Sequence, residues 1–220
     1  MKTSFTKRTG GVSHGAFASL NLGTHVGDDL NDVLANREIL SQQLGPIQFM
    51  NQVHGNRIAL IEEVSDEPPT ADALVTGIPG INLAVMVADC IPLLLKSEDA
   101  VAAVHVGRRG LVNEITRKTI SVMREIGPSK ISAIIGPAIC GSCYEISEDI
   151  YQEVVQIHPL AASTTPQGTF SLDLPAALRA VLVGEGVEVS ENFECTVESQ
   201  DYFSYRRDGM TGRQAGVISL

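Results

Sequence analysis

His54, Cys90 and His105 are the residues of this chain best equipped for chemistry. Each sits where a strand-like apolar run meets polar or glycine-rich sequence: Asn51-Gln52-Val53-His54-Gly55, Ala88-Asp89-Cys90-Ile91-Pro92 and Ala103-Val104-His105-Val106-Gly107. Two imidazoles and one thiolate suit a borderline-soft ion such as zinc. Three protein ligands leave a fourth position for water or substrate, which separates catalytic zinc sites from closed structural ones. The spacing is too wide for a finger-type motif. One histidine beside an apolar run is more often a packed or surface histidine than a ligand, so the weight lies on three residues sharing one context.

Two further segments carry charge. Ser204-Tyr205-Arg206-Arg207-Asp208-Gly209 with Thr211-Gly212-Arg213 is a basic, glycine-punctuated stretch near the C-terminus. It reads as a solvated turn or as an anion pocket, because the guanidinium fork suits bidentate binding of phosphate or carboxylate. Arg108-Arg109-Gly110 puts a second basic pair just after His105. Cys140-Gly141-Ser142-Cys143 has the spacing of a redox motif or of half a zinc site. No second C-x-x-C accompanies it, so a pair of reduced thiols in a glycine-rich loop is the simpler reading. Such a loop can also turn backbone N–H groups towards an anion. His158 precedes Pro159 and reads as a helix-end residue. His14 and His25 fall in a glycine-rich opening where spacing decides nothing.

The elements that must position these residues follow from periodicity. Residues 29–44 have apolar positions at Leu30, Val33, Leu34, Leu40 and Leu44, and Gly45-Pro46 stops that helix. Buried strands are predicted at 81–87, 93–95, 101–106 and 131–135, with a last strand at 216–220. One helix carries Leu111, Ile115, Val122, Met123 and Ile126 on a single face and ends at Gly127-Pro128. Ser147 is a candidate cap for a helix through Ile150, Val154 and Ile157, and Asp173 for one through Leu174, Leu178, Val181 and Leu182. Residues 161–168 read as a loop. Strands and helices mix without strict βα alternation, which favours an α+β arrangement.

Composition bounds the rest. A chain of 220 residues with 44% hydrophobic content can bury a full core. A formal charge of −10 argues against nucleic acid as a partner, since phosphate neutralisation needs clustered Lys and Arg. Local arginine pairs suit a small anion instead. Residues 1–20 have no apolar core of a secretory signal, and the apolar stretch 81–95 is broken by Asp89 and Pro92, so neither secretion nor a membrane span is expected. The expectation is a cytoplasmic protein whose four cysteines are thiols or ligands.

Taken in order, the segments resemble one known family. Gly11-Val12-Ser13, Phe17-Ala18-Ser19-Leu20-Asn21-Leu22-Gly23 and His25-Val26-Gly27-Asp28-Asp29 match its opening. Asn51-Gln52-Val53-His54-Gly55, Ala71-Asp72-Ala73, Ala88-Asp89-Cys90 and Val104-His105-Val106-Gly107-Arg108-Arg109-Gly110 follow. Ile135-Gly136-Pro137-Ala138-Ile139, Cys143-Tyr144-Glu145, Cys195-Thr196 and the 204–209 stretch complete the pattern. The chain is similar to the YfiH-like proteins, labelled variously as laccase-type polyphenol oxidases, peptidoglycan-editing factors and purine nucleoside phosphorylases.

The resemblance implies metal ligands at His54, Cys90 and His105. It implies an α+β single domain over 1–220, a β-sandwich-like core of mixed sheets flanked by helices, similar to the toxin deamidase (CNF-type) catalytic domain. It implies phosphorolysis of adenosine, inosine, guanosine and methylthioadenosine, with deamination of adenosine besides. The protein is expected to act as a monomer on a small nucleoside and phosphate. Substrate contacts are expected at Asn21, Gln52, Arg108, Arg109, Tyr144, Arg206 and Arg207. Where the family often has Trp, this chain has Arg108, which exchanges an aromatic wall for a charge.

Deamination needs a nucleophilic water at neutral pH, and zinc lowers the pKa of water from about 15.7 to about 7. Asp89 is the nearest acid in sequence to move the proton. Phosphorolysis asks instead for a held phosphate, for which Arg206, Arg207 or Arg108 are candidates. Two alternatives stand beside this reading. A copper-dependent laccase normally needs several coppers and many histidines, and this chain has five histidines. A zinc-stabilised factor in cell-wall editing would use the metal for folding without turnover.

Overall fold

Residues 82–87 contain no polar member after Asn82, and a strand that is apolar on both faces must be covered on both. That requirement sets the layering. The computed structural model describes residues 2–220. Its strands in chain order are β1 (Lys2–Phe5), β2 (Ile47–Gln48), β3 (Ile58–Leu60), β4 (Ala73–Thr76), β5 (Asn82–Val87), β6 (Ile91–Lys96), β7 (Val101–Val106), β8 (Ser132–Ile135), β9 (Ala162–Thr164), β10 (Phe170–Leu172), β11 (Glu188–Glu191) and β12 (Gln214–Ser219). The helices are α1 (Leu30–Leu44), α2 (Arg108–Val112), α3 (Ile115–Ile126), α4 (Glu148–Ile157), α5 (Leu174–Gly184) and α6 (Tyr205–Asp208).

Two mixed sheets pack face to face, one ordered β1-β12-β5-β2 and the other β11-β8-β6-β7-β4-β3. The period of two in each strand assigns the faces. Leu83, Val85 and Val87 point into the space between the sheets and meet Leu74, Leu94, Val101 and Ala103 there. Ala84 and Met86 point the other way, onto Leu40 of α1 and onto Leu20 and Leu22. The far face of the second sheet, through Leu93, Leu95, Ala102 and Val104, packs on Ile115, Ile120 and Met123 of α3 and on Leu178 and Leu182 of α5. The result is a helix, two sheets and a helical layer, with helices on the outer faces of a β-sandwich. No helix among the described residues is long and apolar enough to cross a membrane.

The structure changes several sequence expectations. The helix expected from Leu111 to Ile126 is broken at Glu114, whose φ of 61° lies in the left-handed region. The break lets α2 keep a separate direction close to His105, and Ile126 ends up exposed. In α1, Leu30 and Leu34 are exposed, and the inward face is Val33, Asn36 and Leu40. Residues 161–168 are not a plain loop, because β9 pairs with β10 as an antiparallel hairpin. Ser147 occupies the cap position of α4 but its side chain makes no capping bond, whereas Asp173 accepts from Ala176 N at the start of α5.

Asn36 explains how the glycine-rich opening is held. It is fully buried and its amide serves four partners. The oxygen accepts from Val12 N at 2.8 Å, and the nitrogen donates to Ser13 Oγ, Ser19 O and Asn21 O at 2.9, 3.1 and 2.9 Å. Asn21, fixed in this way, accepts from Arg213 N at 2.9 Å. Replacing Asn36 by Leu strands a backbone N–H and two carbonyls in the interior, at a cost of about 3 kcal/mol. Urea denaturation of Asn36→Leu should show that loss, and a change under about 0.5 kcal/mol, the size expected of a neutral surface substitution, would contradict the role given to this amide.

Candidate metal centre and its cleft

Strand register brings the three predicted ligands together. In the β6–β7 ladder Pro92 lies opposite His105, so Cys90 is two residues along the same face and diagonal to it. Parity also puts His105 in line with Val101 and Ala103, on the side facing the other sheet. His105 therefore ends a row of core residues where the sandwich opens. His54 comes from a loop, and Asp72 delivers it. The Asp72 carboxylate is fully buried and accepts from the backbone N–H groups of His54 at 2.9 Å, Gly55 at 2.7 Å and Val53 at 3.3 Å. The same carboxylate accepts from His105 Nδ1 at 2.8 Å. That bond turns Nε2 of His105 towards Cys90 and His54.

The ligand atoms of His54, Cys90 and His105 all lie within 4.8 Å of one another. The Cys90 Sγ to His54 Nε2 distance is 3.9 Å, and the two imidazoles meet edge to face with centroids 4.7 Å apart. Gly107 closes the floor. A Cβ there would come to 3.0 Å from Cys90 Sγ and 3.2 Å from His54 Cδ2, so only glycine leaves the donors room. His54 itself is held at a φ of 58°, and Asp89 beside Cys90 at 92°, both strained for non-glycine residues.

Electrostatics suit a cation. Burial alone would push the Cys90 thiol up, but His105 and His54 outweigh it and bring the thiol down to about 6. Burial would lower His105, yet Cys90 and Asp72 raise it to about 9. A thiolate among nitrogen donors is the form a metal ion binds. The donor set, its convergence and the glycine floor all fit a zinc or copper ion held by three protein ligands.

The triad opens onto a cleft of about 390 Å³, within the range of small-molecule sites. Gln52, Asp89, Arg108, Tyr144 and Arg206 of the sequence candidates line it. Gln52 spends its amide on Met86, accepting from its N–H at 2.8 Å and donating to its carbonyl at 2.7 Å. Asp89 accepts from Thr196 Oγ1 at 2.7 Å and from Arg206 N at 2.6 Å, which pins the basic segment against the triad. The Arg206 guanidinium lies 5.3 Å over the Tyr144 ring, and Arg108 is 3.6 Å from Glu153.

Three candidates lie off the cleft wall. Asn21 is fully buried and its amide is taken up by Gly23, Asp28 and Arg213. Arg207 donates to the carbonyls of Thr196, Val197, Ser199 and Tyr202 and pairs with Asp208, so it braces a loop. Arg109 is an exposed residue of α2 outside the cleft lining.

Arg213 and Tyr205, part of the basic segment read from sequence as a possible anion pocket, also line the cleft, as does His25, whose spacing decided nothing. Partial burial, then Arg213 and Arg37, hold the His25 imidazole below its usual range. Asp72 was visible only as part of a motif, since a lone Asp between alanines carries no spacing signal.

A family described as multi-copper polyphenol oxidoreductase laccase matches residues 2–220. The chain belongs to this family. Among its relatives, a purine nucleoside phosphorylase of Corynebacterium glutamicum is 44% identical, over 98% of this chain and 93% of the relative. A purine nucleoside phosphorylase of Streptomyces coelicolor is also 44% identical, over 98% of this chain and 94% of the relative. The crystal structure of Neisseria meningitidis protein NMB0706 superposes with a TM-score of 0.91 at 41% identity, covering 100% of this chain and 93% of that one. That of the Bacillus licheniformis hypothetical protein YfiH gives 0.88 at 30% identity, covering 99% and 92%. The YfiH-type resemblance and the mixed-sheet architecture it implies therefore hold.

Asp72 positions His105 and the His54 loop, two of the three candidate ligands. Asp72→Asn keeps the shape but weakens the bond that orients His105 and the grip on the 53–55 backbone. Metal affinity should fall 10–100-fold, read by competition against a chromogenic chelator. An unchanged affinity would remove the orienting role.

Proposed function

We propose that the chain is a metal-dependent purine nucleoside phosphorylase that also deaminates adenosine. Its substrates in this reading are adenosine, inosine, guanosine and methylthioadenosine. The observation that carries it is the convergence of His54, Cys90 and His105, a donor set able to hold a metal, in a cleft that also presents Arg206, Arg108 and Arg213 beside two tyrosines. The names of the curated relatives support the same activity.

Phosphorolysis breaks the bond between C1′ and the purine nitrogen and forms a bond from C1′ to a phosphate oxygen. The guanidinium of Arg206 makes no ion pair with the described residues and lies over Tyr144 in the cleft lining, so it is the first phosphate holder, with Arg108 and Arg213 beside it. Tyr144 and Tyr205 offer aromatic surface to the base. A zinc ion, if bound, would be held by His54, Cys90 and His105 and would supply Lewis acidity. Deamination replaces the 6-amino group by oxygen and needs a proton carried to the departing ammonia. Asp89 keeps a second lone pair on each carboxylate oxygen while holding Thr196 and Arg206, and it is the cleft carboxylate available for that transfer. In this reading the enzyme works as a cytoplasmic monomer of one domain.

The family description supports a second reading, a copper-dependent oxidase of phenols. Two histidines and a cysteine suit one copper as well as zinc. The multicopper relay asks for more histidine than the five this chain has, which keeps this reading second.

Product chromatography separates the two. Purified, metal-assayed protein given adenosine should release adenine and ribose 1-phosphate only when phosphate is present, and inosine without it. Cys90→Ala should abolish both. Absence of every such product, together with oxygen-dependent phenol turnover by copper-loaded protein, would move the assignment to the oxidase. Arg206→Ala should raise the KM for phosphate about 10–100-fold, the loss of one charge-assisted contact of about 1.5–3 kcal/mol. A KM for phosphate that does not move would exclude Arg206 as the phosphate holder.

A further inference from the structure

The C-x-x-C at Cys140 and Cys143 reads as an incomplete motif because sequence offers no second pair at the usual distance. Folding supplies the pair. The strands β8 and β11 run parallel and side by side, so the loops that follow them leave the sheet together. Their alignment continues past the strand ends, where Ala138 N donates to Glu194 O at 3.2 Å and Thr196 N to Ala138 O at 3.1 Å. Each loop then makes one tight turn. Cys143 N and Tyr144 N donate to Cys140 O at 3.2 Å, and Ser199 N donates to Cys195 O at 2.9 Å. In such a turn residues three apart point the same way. Cys140 with Cys143, and Cys195 with Glu198, thus form two matching donor pairs facing each other.

The four ligand atoms lie within 4.8 Å of one another. Glu198 Oε1 is 3.6 Å from Cys143 Sγ and 3.9 Å from Cys140 Sγ, and Cys140 Sγ is 3.1 Å from Ser142 Oγ. Zinc–sulfur bonds of about 2.3 Å put tetrahedral sulfurs about 3.8 Å apart, so only a small contraction closes the shell. None of these cysteines is in a disulfide. Three thiols against a carboxylate repel one another as they ionise, and a thiophilic divalent cation removes that repulsion.

We propose that Cys140, Cys143, Cys195 and Glu198 form a second, structural zinc site. Thiolate-rich ligation selects zinc over magnesium or calcium, and four protein donors make the site closed, in contrast to the open His54, Cys90 and His105 centre. Binding is ligand exchange without redox change: each zinc–sulfur bond forms as a thiol proton leaves to solvent, and a Glu198 carboxylate oxygen completes the donor set. The site clamps the wall of the cleft. Tyr144 follows Cys143 directly and lines the cleft, and Thr196 follows Cys195 and donates to Asp89. The inference is independent of which reaction the cleft performs.

Metal counting on protein purified under reducing conditions tests it. Wild type should carry two zinc per chain, and Cys90→Ala should keep one. In the Cys90→Ala background, reconstitution with cobalt should give a near-ultraviolet thiolate charge-transfer band that Cys140→Ser with Cys143→Ser abolishes. If that variant does not fold, the exposed Glu198→Gln serves instead and should weaken zinc retention about tenfold against a chelator while the protein stays folded. One zinc per chain in wild type, none in Cys90→Ala and no cobalt–thiolate band there would overturn the site. So would a Cys140–Cys143 disulfide found in the freshly isolated protein.

Discussion

The buried carboxylate of Asp72 is the constraint on which the rest of the site depends. It accepts the N–H groups of Val53, His54 and Gly55 and the Nδ1 proton of His105 in one place. A buried charge is costly unless every lone pair is answered, and here four donors answer it. The backbone bonds fix the loop that carries His54 at its strained φ. The imidazole bond fixes the tautomer and direction of His105. Two of the three candidate ligands therefore take their position from one residue that is not itself in the donor set. Its place is set in turn by the β4–β7 ladder, because Ala73 pairs with Val104 and brings Asp72 beside His105.

The third ligand depends on the sheet alone. Cys90 immediately precedes β6, on the face that looks into the sandwich, and the register with β7 decides its distance from His105. A slip of one residue would turn Cys90 to the helical face and dissolve the centre. The core residues Leu94, Val101 and Ala103 hold that register by filling the space between the sheets. The same packing that stabilises the fold thus sets the spacing of the candidate ligands at its open end.

Around this centre the chain uses its few arginines in two ways. Arg206 and Arg207 are neighbours in sequence, yet their side chains part company at α6. Arg206 turns over Tyr144 into the cleft, while Arg207 gathers four carbonyls of the 196–202 loop. Asp89 links the two loops to the centre by holding Arg206 N and Thr196 Oγ1. An acidic protein thereby keeps a local basic lining at the cleft.

Much of this was legible in the residues. Donor chemistry picked out His54, Cys90 and His105, and continuous apolar runs found β5, β6, β7 and β8, the first three because nearly every residue in them is buried. The paired Cys140 and Cys143 were visible as well. Their partners were not, since Cys195 and Glu198 lie more than fifty residues away and only parallel pairing of β8 and β11 brings them near. The break at Glu114, the hairpin of β9 and β10 and the burial of Asn36 in α1 carry no periodic signal either, because tertiary contacts override local preference at each. Adjacent arginines look alike in sequence, and only the loop beneath α6 separates a cleft residue from a brace. Sequence determined which side chains can ligate, pair or pack. Strand register and loop closure decided which of them meet, because those distances are set by hydrogen-bonded ladders between segments far apart in the chain.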